Sequence, residues 1–302
     1  GTVLQPDPTE VLEVSAIATG TDGVIWAVTG CDLKFLPPGD GSGIPTNWEG
    51  YQFCSSSSDK ATDILVNSGN VMISTGANGV YVIDYNLSSN QSLVGIQGIT
   101  RWDSGNFLAS NRITDLQMMG NQLLISTENA GISRRDLATS TWLSRWSTGN
   151  TLASNNVLGT SVSDGWLHVI AGNTLQSYEI SSEVFRAQET MSGLGLLDNA
   201  VSISSWPSGI GFRGPTDGMS IIIDSTGVMA MQHEDASLGI EYLVSSPVSD
   251  PMRLAVSIED SEGGQIWVAG DTTIDRFNNS GRRWSSPIDV TDYAGQQMQT
   301  VT

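Results

Sequence analysis

Charge is scarce in this 302-residue chain, and the charge that is present is mostly of one sign. Charged residues make up 15% of the sequence, against roughly 25% in an average globular protein. The chain has 32 acidic and 13 basic residues, for a net charge of −19. Such a surface repels phosphate backbones and anionic lipid headgroups, and no apolar run reaches the ~18 residues of a membrane span. We therefore expect no nucleic-acid partner and no insertion into a membrane.

Histidine is rare, with one copy at His168 and one at His233. Because a nucleophilic triad uses a histidine, few sites for such chemistry exist in the chain. His168 lies within an alternating strand pattern, where a packing role is the ordinary one. His233 precedes Glu234 and Asp235 and could bind a metal with them, but one histidine beside two carboxylates is a common chance arrangement. We expect neither a metal nor a cofactor.

Cysteine is equally scarce, and its two copies lie in the same predicted repeat. Cys31 and Cys54 each fall at a strand end, where a disulfide closing the Gly/Pro-rich loop is favoured and a metal or redox site is the alternative. Asn-x-Ser sequons occur in predicted turns at Asn86, Asn90 and Asn278. These features favour an extracellular, periplasmic or cell-surface location. The abrupt ends of the chain leave open that it is part of a larger surface protein or assembly.

Repetition is the strongest signal in the sequence. Residues 101–111 read RWDSGNFLASN and residues 145–155 read RWSTGNTLASN, with eight of the eleven positions identical. A further step of 44 residues keeps Gly193, Leu196 and Asn199. A fixed period of this size, with strand-like alternation inside each unit, predicts the blades of a propeller.

Apolar strands and Gly-rich turns recur at a similar spacing along most of the chain. They predict an all-β fold, a single β-propeller domain over residues 1–302, with six blades of four-stranded antiparallel sheets and seven as the alternative. The blades are expected to start near residues 14, 61, 113, 157, 201 and 254, with an insertion in the irregular fifth. Residues 1–13 and 290–302 lie outside these units, and pairing of the two termini would close the ring and protect its edges.

The sequence motif of the repeat resembles that of a known family. The two clear copies share Gly-Asn-x-Leu-Ala-Ser-Asn before an Ile or Val strand, and Ile-Ser-Thr-x-x-x-Gly-Ile follows the next Gly turn in the first. The turn and the strand that follows it are clearest at residues 260–270 (DSEGGQIWVAG), and the segment that ends the repeat is clearest at residues 274–278 (IDRFN). This pattern resembles the two-component regulator propeller repeat, with Ala109 and Ala153 where that repeat usually has Pro. The resemblance implies an extracytoplasmic sensor or interaction propeller, often with seven blades.

Asparagine recurs in register just before the predicted inner strands. Asn111, Asn155 and Asn199 occupy one repeat position, and Arg112 and Asn156 follow the first two. In a propeller these positions surround the mouth of the central channel, so all five are candidate ligand-binding residues. The alternative, favoured by repetition in register, is that each Asn side chain binds backbone where the chain passes between blades.

We expect a non-catalytic module that binds a ligand, interacts with a protein or takes part in surface assembly, with a protein or a glycan as its partner. The alternative is a carbohydrate-active propeller enzyme, a glycoside hydrolase or lyase that uses paired carboxylates at the channel mouth. With 32 acidic residues, candidate pairs are too many for the sequence to select one, and no catalytic residue is assigned.

Overall fold

The structure is a computed structural model. It describes residues 15–20, 23–36, 49–54, 60–67, 69–87, 93–163, 165–197, 199–206, 219–233, 240–248, 251, 253–257, 265–270, 273–278, 283–284 and 288–289. Every regular element in these ranges is a β-strand. None of the described residues belongs to a helix that could span a membrane.

The strands form consecutive antiparallel sheets in chain order. The first sheet contains β1 (Ala16–Thr19), β2 (Ile25–Thr29), β3 (Asp32–Leu36) and β4 (Glu49–Gln52). The second contains β5 (Ala61–Asn67), β6 (Asn70–Thr75), β7 (Val80–Leu87) and β8 (Leu93–Trp102). The third contains β9 (Ile113–Met119), β10 (Gln122–Thr127), β11 (Gly131–Asp136) and β12 (Thr141–Trp146).

The remaining sheets continue this order. The fourth contains β13 (Val157–Ser163), β14 (Trp166–Ala171), β15 (Thr174–Glu179) and β16 (Val184–Thr190). The fifth contains β17 (Ala200–Trp206), β18 (Met219–Asp224), β19 (Val228–His233) and β20 (Ile240–Ser245). The last contains β21 (Arg253–Ser257), β22 (Gln265–Ala269), β23 (Thr273–Asn278), β24 (Arg283–Trp284) and β25 (Ile288–Asp289). Successive four-stranded antiparallel sheets of this kind are the blades of a β-propeller, which is the fold of the chain.

The prediction of six four-stranded blades is wrong, because five sheets in the described part of the chain have four strands and the last has five. In that sheet β24 and β25 are two-residue strands that both pair with β23. Pro287 lies between them in the sequence, and a proline has no N–H with which to continue a hydrogen-bonded strand. The alternative count of seven is not met either, since the described residues form no further sheet.

The second to sixth sheets begin at Ala61, Ile113, Val157, Ala200 and Arg253, where the sequence predicted starts near 61, 113, 157, 201 and 254. The predicted first start near residue 14 lies outside the described residues. The predicted pairing of residues 1–13 with 290–302 also lies outside them, as do residues 207–218 of the irregular fifth unit, in which an insertion was predicted.

The chain divides into two compact units, of which the first comprises Gly1–Leu116 and Leu123–Arg145. In this unit β1 lies beside β5, and the apolar faces of the first two sheets share one core that includes Trp26, Phe35 and Tyr85. A single sheet cannot cover its own apolar face, so burial against the next sheet is what stabilises each blade.

The disulfide predicted between Cys31 and Cys54 is confirmed, with a Cα–Cα distance of 5.0 Å. It joins the β2–β3 turn to the chain just after β4, next to a hydrogen bond from the Phe53 N–H to the Cys31 carbonyl. The first sheet is therefore held covalently at its outer strand.

The second unit comprises Gln117–Gln122 and Trp146–Thr302. Here β13 lies beside β17, and β17 lies beside β21. One core cluster joins the fourth and fifth sheets through Ile170, Leu175 and Ile222, and another joins the fifth and last sheets through Ile223, Ile266 and Phe277. The first strands of consecutive sheets are thus neighbours within this unit, as in the inner layer of a propeller.

Candidate functional site

The repeated motif folds into a hydrogen-bonded loop that leads from one sheet to the next. In the first copy the Asp103 carbonyl accepts bonds from the N–H groups of Asn106, Phe107 and Leu108, at 3.1, 2.9 and 2.9 Å. The Asp103 N–H donates to Asn106 Oδ1 at 2.9 Å. The asparagine of the Gly-Asn pair is therefore required by the loop itself.

The second copy forms the same loop. The Ser147 carbonyl accepts bonds from the N–H groups of Asn150, Thr151 and Leu152, at 3.1, 2.8 and 3.0 Å. The Ser147 N–H donates to Asn150 Oδ1 at 2.8 Å. Because the bonds that the two copies share use only the backbone of the first position, Asp in one copy and Ser in the other are both accommodated.

The two repeated asparagines that follow the loops also bind backbone. Asn111 Oδ1 accepts the Ser104 N–H at 2.6 Å, and Asn155 Oδ1 accepts the Thr148 N–H at 2.9 Å. This geometry agrees with the alternative in which each asparagine side chain binds backbone where the chain passes between blades. A role for these asparagines in binding a ligand at a channel mouth stays a prediction.

The other three candidate residues contribute backbone carbonyls at equivalent crossings. The carbonyls of Arg112, Asn156 and Asn199 accept the N–H groups of Glu128, Gly172 and Ser225, at 3.1, 2.7 and 3.1 Å. The Arg112 side chain forms an exposed ion pair with Glu128. The structure brings none of the five candidates into the groove described below.

A stack of three side chains lies beside the first loop. The Arg135 guanidinium carbon is 4.9 Å from the centre of the Trp102 ring and 5.1 Å from the centre of the Trp142 ring. The Trp102 and Trp142 rings are also in edge contact, 5.3 Å apart. Phe107, which is 50% exposed, stacks on Trp142 at 5.4 Å with an angle of 12° between the rings.

An equivalent stack lies beside the second loop. Tyr178 is 5.2 Å from Trp146 in a stacked arrangement and 5.8 Å from Phe185 in an edge contact. The Tyr178 hydroxyl donates to the Thr151 carbonyl at 2.9 Å, and burial raises the pKa of Tyr178 well above its usual range. The hydroxyl therefore stays protonated and fixes the tyrosine ring against the loop.

Two hydrogen bonds show that the stacks correspond. The Ala109 N–H of the first loop donates to Ser133 Oγ at 3.1 Å, and the Ala153 N–H of the second donates to Gln176 Oε1 at 2.7 Å. Arg135 and Tyr178, the middle members of the stacks, lie two residues after Ser133 on β11 and Gln176 on β15. The outer members, Trp142 and Phe185, then occupy corresponding positions on β12 and β16.

The two copies differ in what covers the outer ring. Phe107 covers Trp142 in the first copy, and Thr151 occupies its place in the second, where the face of Phe185 stays uncovered. The result is an open groove of about 320 Å³, which we call the β16 groove. It is lined by Thr148, Gly149, Asn150, Thr151, Leu152, Ala153, Gln176, Phe185 and Gln188.

A β-bulge directs Phe185 into the β16 groove. Gln176 pairs with Gln188 across β15 and β16, so their side chains share a face. Phe185 is three residues from Gln188 and would face the other side of a regular strand. The register shift between Ser177 and Tyr178 leaves Arg186 as the extra residue and pairs Phe185 with Tyr178. The aromatic ring and both glutamines are thereby placed on one face.

Gln176 is the most buried polar side chain of the groove, at 3% exposure. Its Oε1 is used by the Ala153 N–H. Among the described residues no acceptor is found for its Nε2. This nitrogen is not one of the fully enclosed polar atoms without a partner, so it is open to the groove. Since the residue lines the groove, the amide N–H₂ is a donor that remains for a ligand.

The two histidines do not contribute to this site. His168 is fully buried on β14, and its Nδ1 lies 2.9 Å from Ser177 Oγ. Burial lowers the pKa of His168 to about 4. The His233 side chain, Glu234 and Asp235 lie outside what the structure describes, and within the described residues no group of three or more His, Cys, Asp or Glu is placed to hold a metal ion.

Comparisons with known proteins define the fold and no more. No protein-family model matches the chain, and no curated protein matches it. Among solved structures, the crystal structure of the computationally designed Ika8 protein is similar over 91% of this chain and 73% of that chain, with a TM-score of 0.55 and 11% sequence identity. The chain therefore belongs to the β-propeller class by fold.

The residues of the β16 groove were not identified from the sequence. The signal that could have found them is the exchange of Phe107 for Thr151 between the two motif copies, since a large exposed side chain is lost from an otherwise repeated loop. The effect of this exchange depends on which aromatic ring the side chain of Phe107 covers, and the sequence does not show that ring because it is brought there by strand pairing.

Proposed function

We propose that this chain is a non-catalytic, extracytoplasmic β-propeller that binds a ligand in the β16 groove. The observation that carries the proposal is the combination of an aromatic ring, Phe185, that is 43% exposed with the donor amide of a buried glutamine, Gln176. An apolar wall with a few placed polar groups is the usual composition of a ligand site. The partner in this proposal is a protein or a glycan.

The chemistry of the lining supports binding without hydrolysis. Glycosidases use two carboxyl groups on either side of the scissile bond, and each of the nine lining residues is uncharged. The groove offers amides, one hydroxyl-bearing wall and an aromatic face, which are groups that hold a ligand in place.

The extracytoplasmic location is supported by the disulfide between Cys31 and Cys54, because such bonds persist in oxidising compartments. The resemblance of the repeat to the two-component regulator propeller repeat supports the same location and an interaction role. A place in a larger surface protein or assembly would suit both features.

A substitution that closes the groove tests the proposal. In Thr151→Phe the new ring should cover Phe185 as Phe107 covers Trp142, and Thr151→Ser is the matched control that leaves the groove open. Wild type and both variants are applied to arrays of glycans and of peptides, after their melting temperatures are shown to agree. We expect at least one ligand that wild type and T151S bind and T151F does not. If every ligand of the wild type is bound equally by T151F, the proposal is wrong.

A further inference from the structure

We infer that the ligand of the β16 groove is a neutral oligosaccharide, with one sugar ring stacked on Phe185 and its hydroxyl groups bound by the amides of Gln176 and Gln188. The inference rests on the function proposed above and names the class of ligand for that site.

The charge of the groove selects against ionic ligands. The chain carries a net charge of −19, yet the groove lining contains no ionisable side chain. An anionic ligand would meet a repulsive protein with no basic partner in the site. The nearby Arg186 is already paired with Glu179 through its guanidinium group. A cationic peptide would gain from carboxylates, which the lining does not provide.

The aromatic surface is fixed in position before a ligand arrives. Tyr178 stands between Trp146 and Phe185, and its hydroxyl is tied to the Thr151 carbonyl. The Phe185 ring is therefore supported from behind while its outer face stays open. A preformed surface of this kind avoids the entropy cost of ordering a side chain on binding, and a pyranose ring offers a matching apolar face.

The polar groups of the groove suit hydroxyl groups. Each carboxamide has both a donor and an acceptor, and a hydroxyl group can also act as both. Gln176 offers its N–H₂, while the exposed Gln188 directly opposite it on β16 offers a complete amide. The volume of about 320 Å³ is at the small end of ligand sites, which fits a short stretch of a sugar chain.

Two substitutions remove the two proposed contacts separately. Phe185→Ala removes the stacking surface, and Phe185→Tyr keeps it. Gln176→Glu keeps an oxygen for the Ala153 N–H and replaces the donor N–H₂ with a second oxygen. Val184→Ala is the control, because Val184 is exposed to the same extent as Phe185, at 43%, and does not line the groove.

The experiment is calorimetric titration of the full chain with neutral hexasaccharides of glucan, mannan, xylan and galactan, with oligogalacturonate as an acidic sugar and with a basic and a neutral peptide. We expect a neutral hexasaccharide to bind, with affinity lowered about tenfold or more in F185A and Q176E. We expect F185Y and V184A to bind as the wild type does.

The outcomes separate this inference from the function on which it rests. If no neutral sugar binds, or if one binds equally to F185A and Q176E, the inference is wrong. If the acidic sugar or a peptide binds in its place and T151F abolishes that binding, the ligand class is wrong and the binding function stands. If no ligand distinguishes T151F from the wild type, both fail.

Discussion

Replacement of Gly79 by alanine is a quantitative test of the fold, because the chain leaves no room for a side chain at this position. Its φ is 85°, and its N–H donates to the Asn111 carbonyl at 2.9 Å. Its carbonyl accepts both the N–H and the Oγ1 hydroxyl of Thr75, each at 3.0 Å. A Cβ at this position would overlap the Trp102 carbonyl oxygen and lie 3.2 Å from the carbonyl carbon.

The expected cost follows from three contributions. An L-residue in the left-handed region costs roughly 1–2 kcal/mol. Relief of the overlap must move backbone and break the bond to Asn111, which costs about 1–3 kcal/mol for a buried group. The lower entropy of the unfolded alanine chain returns about 0.4–1 kcal/mol. Gly79→Ala should therefore lower the free energy of unfolding by about 3 kcal/mol, from a total of roughly 5–15 kcal/mol for a typical domain.

Two other glycines separate the contributions. Gly120 has a φ of 60°, and a Cβ added there would meet no atom within 4 Å, so Gly120→Ala should cost only about 1 kcal/mol. Gly76 is outside the left-handed region, and its Cβ would lie 3.9 Å from Thr62 Cγ2, so Gly76→Ala should stay within about 0.5 kcal/mol of the wild type. Urea unfolding followed by tryptophan fluorescence measures all three. A G79A cost no larger than that of G120A would refute the reasoning, because the overlap would then carry no energy.

Three further predictions concern groups with defined energies. Because burial lowers the pKa of His168 from 6.5 to about 4, the unfolded chain binds more protons between these values, and the free energy of unfolding should fall by about 3 kcal/mol as the pH falls through them. His168→Gln should flatten this part of a profile of urea midpoints against pH, and an unchanged slope contradicts the assignment. Replacing both Cys31 and Cys54 by alanine releases a loop with a sequence separation of 23 and should cost about 3 kcal/mol, which an unshifted thermal melt would disprove. Asn111→Ala and Asn155→Ala should each cost about 1 kcal/mol in the same melts, and only N155A should also weaken ligand binding, since it frees a wall of the β16 groove.

Most of the fold could be predicted because its signals are local. Alternation of apolar and polar residues with Gly-rich turns indicated strands such as β10 and β22 at nearly their observed positions. In the last sheet β25 was not predicted, because it is two residues long and so short a strand has no periodicity to detect. The bulge that turns Phe185 was likewise invisible, since it is defined by pairing with Tyr178.

The candidate site illustrates a different limit. Repetition in register pointed to Asn111 and Asn155, and the structure shows why they recur, since each accepts a backbone N–H of its loop. A residue that every copy needs for folding is kept among the copies for that reason. Comparison of repeats by identity therefore selects architecture, and it passes over residues that serve one copy alone.

Specific binding in a repeat fold has to come from positions where the copies differ. The loops of the first two motif copies share their hydrogen bonds, and the side chains beside them change from Phe107 to Thr151 and from Arg135 to Tyr178. The first change uncovers an aromatic ring, and the second supports that ring with a hydroxyl bonded to the loop. Since neither change disturbs the shared backbone bonds, one blade gains a groove while the common scaffold is kept. Phe107 and Thr151 are thus the pair whose exchange should move or abolish the binding site.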